Sequence, residues 1–302
     1  MVIAGHLDTV WDHGVLAGSM PFRVEGDRAY GPGIYDMKAG SFMAFHAVRE
    51  ILRQGTPTKR PITLLLTPDE EVGSPTSRAV IEREARSAAA VLIPEPAGGL
   101  RGSCVTSRKG TGGFTMTIEG RSAHAGGNWA EGRSAVVALA RATLAIHALT
   151  DLDAGVTTNV APVWGGTRPN VIPPEAGCRI DFRVPSLAAA ERVVAAIRAL
   201  EGEEDGIRIR VKGGLNRPPF PETPEGLALY ETARGIAAPR LRPAAAAPRR
   251  RLGRDFTAVM GIPTLDGLGC TGAGAHAPDE HIRWADLAPR CATLCRLLET
   301  LG

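Results

Sequence analysis

Val2-Ile3-Ala4-Gly5-His6-Leu7-Asp8-Thr9-Val10 decides how this chain is read. Its first residues form a continuous apolar run, the mark of a short strand buried on both faces in a parallel sheet. The run ends on an imidazole and, two residues later, a carboxylate. The same pattern recurs where residues 61–67 lead to Glu70-Glu71 and residues 88–93 lead to Glu95. Strands that deliver polar side chains just past their carboxyl ends are how open α/β sheets assemble their sites. Asp36, in Gly33-Ile34-Tyr35-Asp36-Met37-Lys38, and His276, in Gly274-Ala275-His276-Ala277-Pro278-Asp279-Glu280, extend the series. Any one of these side chains alone reads as a packed or solvated residue. Together, two imidazoles and several carboxylates are the ligand set that a pair of zinc ions prefers, which points to a metal-dependent hydrolase.

These motifs resemble the aminoacylase, acetylornithine deacetylase and carboxypeptidase family of co-catalytic zinc peptidases. Gly5-His6-Leu7-Asp8-Thr9-Val10-Trp11, the stretch from Met20 to Gly33, and Asp69-Glu70-Glu71-Val72-Gly73-Ser74 look like its glutamate carboxypeptidase branch. The resemblance runs from residue 2 to about residue 235 and resumes at Asp255. It implies that Asp36 bridges two metals, with His6 and Glu95 completing one site and Glu71 and His276 the other. A carboxylate has two oxygens and can span zinc ions about 3.5–4 Å apart. Zinc is the expected metal, with Co2+ or Mn2+ as substitutes. Asp8, two residues beyond His6 on an extended segment, is placed to accept the proton on the other ring nitrogen and fix the tautomer. Glu70 stands beside a ligand without being one in the family, which makes it the general base. The implied reaction is amide hydrolysis by metal-activated water, with Glu70 taking the proton and returning it to the leaving nitrogen.

The middle of the chain changes grammar. Residues 114–119 alternate with period two, 129–149 are Ala-rich and helical, and 157–164 and 178–184 read as strands. A helix over 187–200 and a strand over 207–211 follow. That β-α-β-β-α-β order is the ferredoxin-like split unit. The expected fold is therefore an α/β zinc-peptidase domain with a central mixed sheet, in two parts at 1–105 and 217–302, interrupted by an α+β domain at 106–216. In the family the inserted domain is a lid and a dimerisation surface, which implies a homodimer. His124, in Gly120-Arg121-Ser122-Ala123-His124-Ala125-Gly126, is by its chemistry alone a solvated loop residue. The resemblance places it in the partner's active site, where it helps to hold the developing oxyanion. Asn170 and Arg183, which otherwise read as a turn cap and a surface ion pair, contact substrate in the resemblance. A planar guanidinium suits bidentate capture of a free carboxylate. The implied substrate is a small molecule or peptide with a terminal carboxylate.

Composition sets the outer limits. With 302 residues and 44% hydrophobic content, the chain is long enough for two ordinary cores. No apolar stretch approaches the roughly 20 residues that span a bilayer, and no basic segment precedes the first short apolar run, so a cytoplasmic protein without a membrane partner is expected. The net charge of +3 is modest, with Arg residues gathered near 239–254, and no nucleic-acid partner is expected. The five cysteines include no C-x-x-C pair, and Cys291 and Cys295 read as core positions of a terminal helix.

Two stretches depart from the family pattern. The chain as written begins at the first metal motif, where family members carry earlier helices and strands, so an exposed sheet edge or face is expected. Residues 237–254 are rich in Ala, Pro and Arg where the family has a Gly-Gly-Gly-Ser-Asp type of loop. Arg250-Arg251-Leu252-Gly253-Arg254 is what GGC-GGC-GGC-TCG-GAC-G yields when read two bases late. This points either to a local reading-frame error or to a genuine solvated loop. Three functional readings stand: a glutamate carboxypeptidase-like enzyme, an N-acyl-amino-acid deacylase, and a catalytically impaired dimeric binding protein.

Overall fold

The computed structural model describes residues 1–98, 102–220, 222–237 and 256–301. The chain divides into two compact units, Met1–Arg108 with Phe220–Gly302, and Lys109–Pro219. The inserted unit so defined starts and ends three residues later than the span 106–216 read from sequence. The expectations for residues 238–254 and for Asp255 lie outside the described residues.

The first unit opens with β1 (Val2–His6), β2 (Arg23–Glu25), β3 (Arg28–Tyr30), α1 (Ala39–Gln54), β4 (Thr63–Thr67), α2 (Arg78–Arg86) and β5 (Val91–Ile93). The inserted unit contributes β6 (Gly110–Glu119), α3 (Ala135–His147), β7 (Thr157–Gly165), β8 (Glu175–Val184), α4 (Leu187–Arg198), β9 (Gly202–Glu204) and β10 (Ile207–Arg217). The first unit then resumes with α5 (Pro224–Ala237), α6 (Phe256–Val259), β11 (Thr264–Asp266), β12 (Gly272–Ala273), β13 (His281–Arg283) and α7 (Leu287–Thr300).

In the first unit one sheet has the order β11-β5-β1-β4, and all its pairings are parallel. Successive β1 side chains pack to opposite sides: Ile3 belongs to the core with Met43, Ala47 and Leu294, while Val2 packs with Ala85 and Val91. That two-sided burial is why β1 reads as a continuous apolar run. From β1 the chain moves through α1 to β4 on one side, then returns to β5 on the other. The reversal is the switch point at which such sheets bind ligands beyond their carboxyl ends. A separate antiparallel sheet, β12-β13-β3-β2, belongs to the same unit. Helix α1 buries Met43, Ala44, Ala47 and Ile51 at helical spacing, next to Cys291, Leu294, Leu297 and Leu298 of α7. It ends at Gly55, whose left-handed φ of 63° allows Gly55 and Thr56 to bond back to the last carbonyls.

The inserted unit is a five-stranded antiparallel sheet of order β7-β8-β6-β10-β9 with α3 and α4 packed on it. The β-α-β-β-α-β order is the ferredoxin-like one, with β9 added at the edge beside β10. Phe114, Met116 and Ile118 of β6 are buried with Leu139 and Ile146 of α3 and Val193 and Ile197 of α4, while Thr115, Thr117 and Glu119 face solvent. The helix read over 129–149 is two pieces: a single 3-10 turn at Trp129–Glu131, then α3. Gly132 adopts an extended conformation and Ser134 caps α3 through its hydroxyl, which accepts from the Val137 amide at 3.3 Å.

Candidate metal centre

Three chain segments following parallel strands of the first unit, and two more from its remaining loops, meet around Asp36. His6 closes β1, Glu70 and Glu71 lie in the loop after β4, and Glu95 lies two residues beyond β5. The loop after β4 is tied down by Asp69, whose carboxylate accepts from the Thr76 amide and hydroxyl at 2.8 and 2.7 Å and from the Ser77 amide at 3.1 Å. Its neighbours Glu70 and Glu71 are thereby fixed relative to the strand end. Glu95 reaches Asp36 because α1 starts hard against its loop. A Cβ on Gly40 would stand 1.8 Å from the Pro94 carbonyl oxygen, so only glycine permits this approach.

Asp36 points its two oxygens in different directions. Oδ1 is 3.5 Å from His6 Nε2, and the same nitrogen is 3.5 Å from Glu95 Oε1. Oδ2 is 3.3 Å from His276 Nε2, which is also 3.3 Å from Glu71 Oε1. Ligand atoms of His6, Asp36 and Glu71 all lie within 4.8 Å of one another. His276 holds a left-handed φ of 63°, a conformation that a non-glycine residue adopts at a cost and that is found at functional sites. His6 Nε2, Asp8 Oδ1, Glu70 Oε1 and Glu71 Oε1 are buried without a hydrogen-bond partner. Buried polar atoms are nearly always satisfied, so this cluster of orphans, all nitrogen and carboxylate oxygen, fits a bound cation.

The electrostatics agree. Burial pushes the Glu95 carboxyl up to about 8, with the Asp36 charge adding to it. Burial and the charges of Asp36 and Glu70 lift Glu71 to about 7. Burial opposes the charged form of His6, but the carboxylates of Asp36 and Glu95 outweigh it and raise the imidazole to about 11. Asp36 is held below the usual carboxylate range: burial works against ionisation, but the facing His6 imidazole prevails. Crowded carboxylates that compete for protons are ones that a dication would satisfy.

Asp8 differs in detail from its sequence reading. The acceptor nearest His6 Nδ1 is the main-chain carbonyl of Asp8 at 2.9 Å, while its carboxylate Oδ1 lies at 3.5 Å. The peptide oxygen, rather than the side chain, is thus what holds the ring. The other carboxylate oxygen of Asp8 accepts from the Glu71 amide at 2.8 Å. Asp8 therefore links the loop after β1 to the loop after β4. Sequence reasoning missed Asp69 and Glu280, whose carboxylates accept several bonds from these loops. The acid-rich stretch around Asp69 offered a faint signal, and for Glu280 there was none.

The remaining candidates belong to the inserted unit. His124 is exposed, and its Nδ1 accepts from the amides of Gly126 and Gly127 at 3.1 and 3.0 Å. With Nδ1 as acceptor, a neutral ring carries its proton on Nε2 and offers it outward. Asn170 is exposed at the turn before Val171, and its carbonyl accepts from the Ala125 amide at 3.0 Å. Arg183 on β8 forks onto Asp181 two residues earlier, with bonds of 2.9 and 3.0 Å. The bidentate face expected to meet a substrate carboxylate is turned to Asp181 here.

A family model, peptidase family M20/M25/M40, matches residues 2–300. The chain belongs to this family. The M20 relatives include carboxypeptidase G2 of Pseudomonas sp., 32% identical across 100% of this chain and 74% of that protein. A putative succinyl-diaminopimelate desuccinylase DapE of Mycobacterium tuberculosis is 29% identical over 78% of this chain and 66% of its own length. Among solved structures, aminopeptidase PepT from Bacillus cereus superposes with a TM-score of 0.81 at 24% identity, covering 99% of this chain and 79% of that one. A dinuclear metal binding peptidase from the M20 family, Bacillus subtilis YXEP, gives 0.71 at 17% identity, covering 100% and 82%. The protein is thus an M20 metallopeptidase or amidohydrolase. Among the described residues no helix is long and apolar enough to cross a membrane.

Proposed function

We propose that this M20 chain is a metallo-carboxypeptidase that releases a C-terminal amino acid, glutamate first among candidates, from an acyl or peptidyl donor. The observation that carries it is the split geometry of Asp36, one oxygen toward His6 and Glu95 and the other toward His276 and Glu71. The 32% identity to carboxypeptidase G2 favours release of a carboxyl-terminal residue. In this reading His6, Asp36 and Glu95 would hold one zinc ion, and Asp36, Glu71 and His276 would hold the other. Bound metal would supply a water of lowered pKa and a polarised amide carbonyl. Glu70, with Oε1 buried and unpartnered, would be the general base, taking a proton from the attacking water and returning it to the leaving nitrogen. Asp8 holds the His6 ring through its carbonyl and the Glu71 loop through its carboxylate.

The inserted unit supplies the rest of this reading. His124 of one protomer of a homodimer donates Nε2–H to the developing oxyanion in the partner, and Asn170 and Arg183 recognise the free carboxylate of the substrate. The desuccinylase relative favours a second reading, removal of an acyl group from an N-acyl amino acid, because the metal ligands would serve either reaction. A hydrolysis screen separates the two. N-acyl amino acids varied at the carboxyl-terminal residue, and then at the acyl group, are incubated with the zinc-loaded protein, with and without chelator. Selectivity for glutamate with tolerance of the acyl group supports the carboxypeptidase. Selectivity for the acyl group overturns it in favour of the deacylase.

A further inference from the structure

The carboxylate of Glu280 is completely buried, and nothing in the chemistry above uses it. A buried charge is costly unless donors surround it. Here Oε2 accepts from Trp11 Nε1 at 2.9 Å and from the Gly33 amide at 2.8 Å. Oε1 accepts from the amides of Tyr35 at 2.9 Å and Asp36 at 3.0 Å. A carboxylate offers about four acceptor positions, so Glu280 is saturated and is no metal ligand itself.

The position of those donors gives the residue its purpose. Three of them are main-chain amides of residues 33–36, the segment that ends on Asp36, and the fourth belongs to the loop following His6 and Asp8. The Glu280 carbonyl also accepts from the Gly31 amide at 3.3 Å. On its own side Glu280 closes the turn that carries His276, since its amide bonds to the Ala277 carbonyl at 2.9 Å and the Ala277 amide to the Gly274 carbonyl at 2.8 Å. One residue thus clasps the Asp36 segment while belonging to the His276 turn.

We propose that Glu280 is a positioning residue that sets Asp36 Oδ2 against His276 Nε2 and so shapes the half of the metal centre completed by Glu71. The inference rests on the reading of Asp36 and His276 as metal ligands. Replacing Glu280 by Gln keeps size and shape but turns an N–H group against one pair of donors, whichever oxygen it replaces. The Asp36 segment then loosens from the His276 turn, while His6 and Glu95 keep their strand-end supports.

The test is a zinc titration of metal-free protein against a competing chelator, comparing wild type, Glu280→Gln and Asp36→Ala. In Glu280→Gln one zinc should bind as in wild type and the second about 10–100-fold more weakly, the usual effect of losing an outer-shell partner. Its kcat should fall at limiting zinc and recover in excess zinc, with KM unchanged. Wild-type affinity for both ions, or a lowered Tm with unchanged zinc affinities, would overturn the proposal. Two ions retained by Asp36→Ala would instead overturn the ligand reading beneath it. If Glu280→Gln does not fold by circular dichroism, Trp11→Phe serves, since it removes one donor and leaves every backbone bond. The second zinc should then bind roughly 2- to 10-fold more weakly, as expected for a single lost hydrogen bond. Unchanged affinity in that variant would equally overturn the role.

Discussion

Around Asp36 the carboxylates and the His6 ring are largely buried, and several of their polar atoms find no partner, whereas His124 and Arg183 of the inserted unit are bonded to their own neighbours. His6 is 2% exposed, but Arg183 is 33% and its partner Asp181 is 49%. Unsatisfied buried groups are expensive to keep, so the first region is built to be completed by something bound. The second is already complete as an isolated unit, and its residues act on a substrate only if one displaces or adds to their present contacts.

The sharpest way to break this contrast is Asp36→Ala. Removing the carboxylate that faces both histidines should release both metal ions and reduce hydrolysis to background, as measured by metal analysis and activity on the same sample. Two ions per chain in that variant would mean that Asp36 bridges nothing. Next in size is Glu70→Gln, which should keep its metal and lose activity by roughly 10²–10⁴-fold, the range of acid–base catalysis. Near wild-type rates in a metal-loaded sample would remove Glu70 as the base.

His124 carries the comparison into the second unit. His124→Ala should lower kcat by roughly 10²–10³-fold if its outward Nε2–H meets an oxyanion. If that oxyanion is in a partner chain, mixing His124→Ala with Glu70→Gln after dissociation and reassociation should restore about one quarter of wild-type activity. Random pairing makes half the dimers mixed, and each of those has one intact site of two. No recovery in a verified mixed population would confine His124 to its own chain.

The two regions were also unequally legible in the sequence. The side chains gathered around Asp36 announce themselves because each follows a short apolar run or lies in a compact motif, and parallel strands carry such residues to one edge whatever their separation in the chain. What the sequence hid is the support. Nothing near Glu280 reveals that its carboxylate turns back to amides at 33–36, since hydrogen bonds to main chain leave no trace in the identity of the residues that donate them. For the same reason the Asp8 carbonyl, rather than its carboxylate, is the nearest acceptor for His6. In the inserted unit the period-two pattern of β6 was plain, but the Ala-rich run concealed the break at Gly132, where Ser134 starts a new helix. Arg183 is legible only as an arginine, because pairing with Asp181 along one strand face and capture of a substrate are spelled alike.

Acid–base behaviour sharpens the contrast in a metal-free sample. Glu71 and Glu95, raised from 4.5 to about 7 and about 8, contribute stability that is complete below pH 4.5 and lost as pH climbs through those values. His6, raised from 6.5 to about 11, contributes stability that is present below 6.5 and lost on approaching 11, which acts in the same direction. Asp36, lowered from 3.8, loses its contribution only on acidification below that value. The Tm of chelated protein should therefore fall by roughly a few °C between pH 6 and pH 9. Zinc-loaded protein should show little of this fall, because metal replaces the protons. The same slope in both samples would mean that these carboxylates do not hold the ion.

The smallest expected effect concerns Arg183, and it tests whether the self-contained look of the inserted unit is the whole account. A partly exposed Arg–Asp pair contributes about 0–1 kcal/mol, so Arg183→Lys should scarcely move Tm whichever role is correct. The discriminating quantity is KM. If the guanidinium leaves Asp181 for a substrate carboxylate, lysine loses one of two parallel bonds, and KM should rise about tenfold with kcat little changed, equivalent to about 1.4 kcal/mol. Asp181→Asn should act in the opposite sense and lower KM a few-fold, because a neutral amide competes less well than a carboxylate for the same fork. Opposite shifts in the two variants can arise only if Asp181 and substrate contend for one guanidinium. Unchanged KM in both would leave Arg183 as a surface pair and put carboxylate recognition elsewhere.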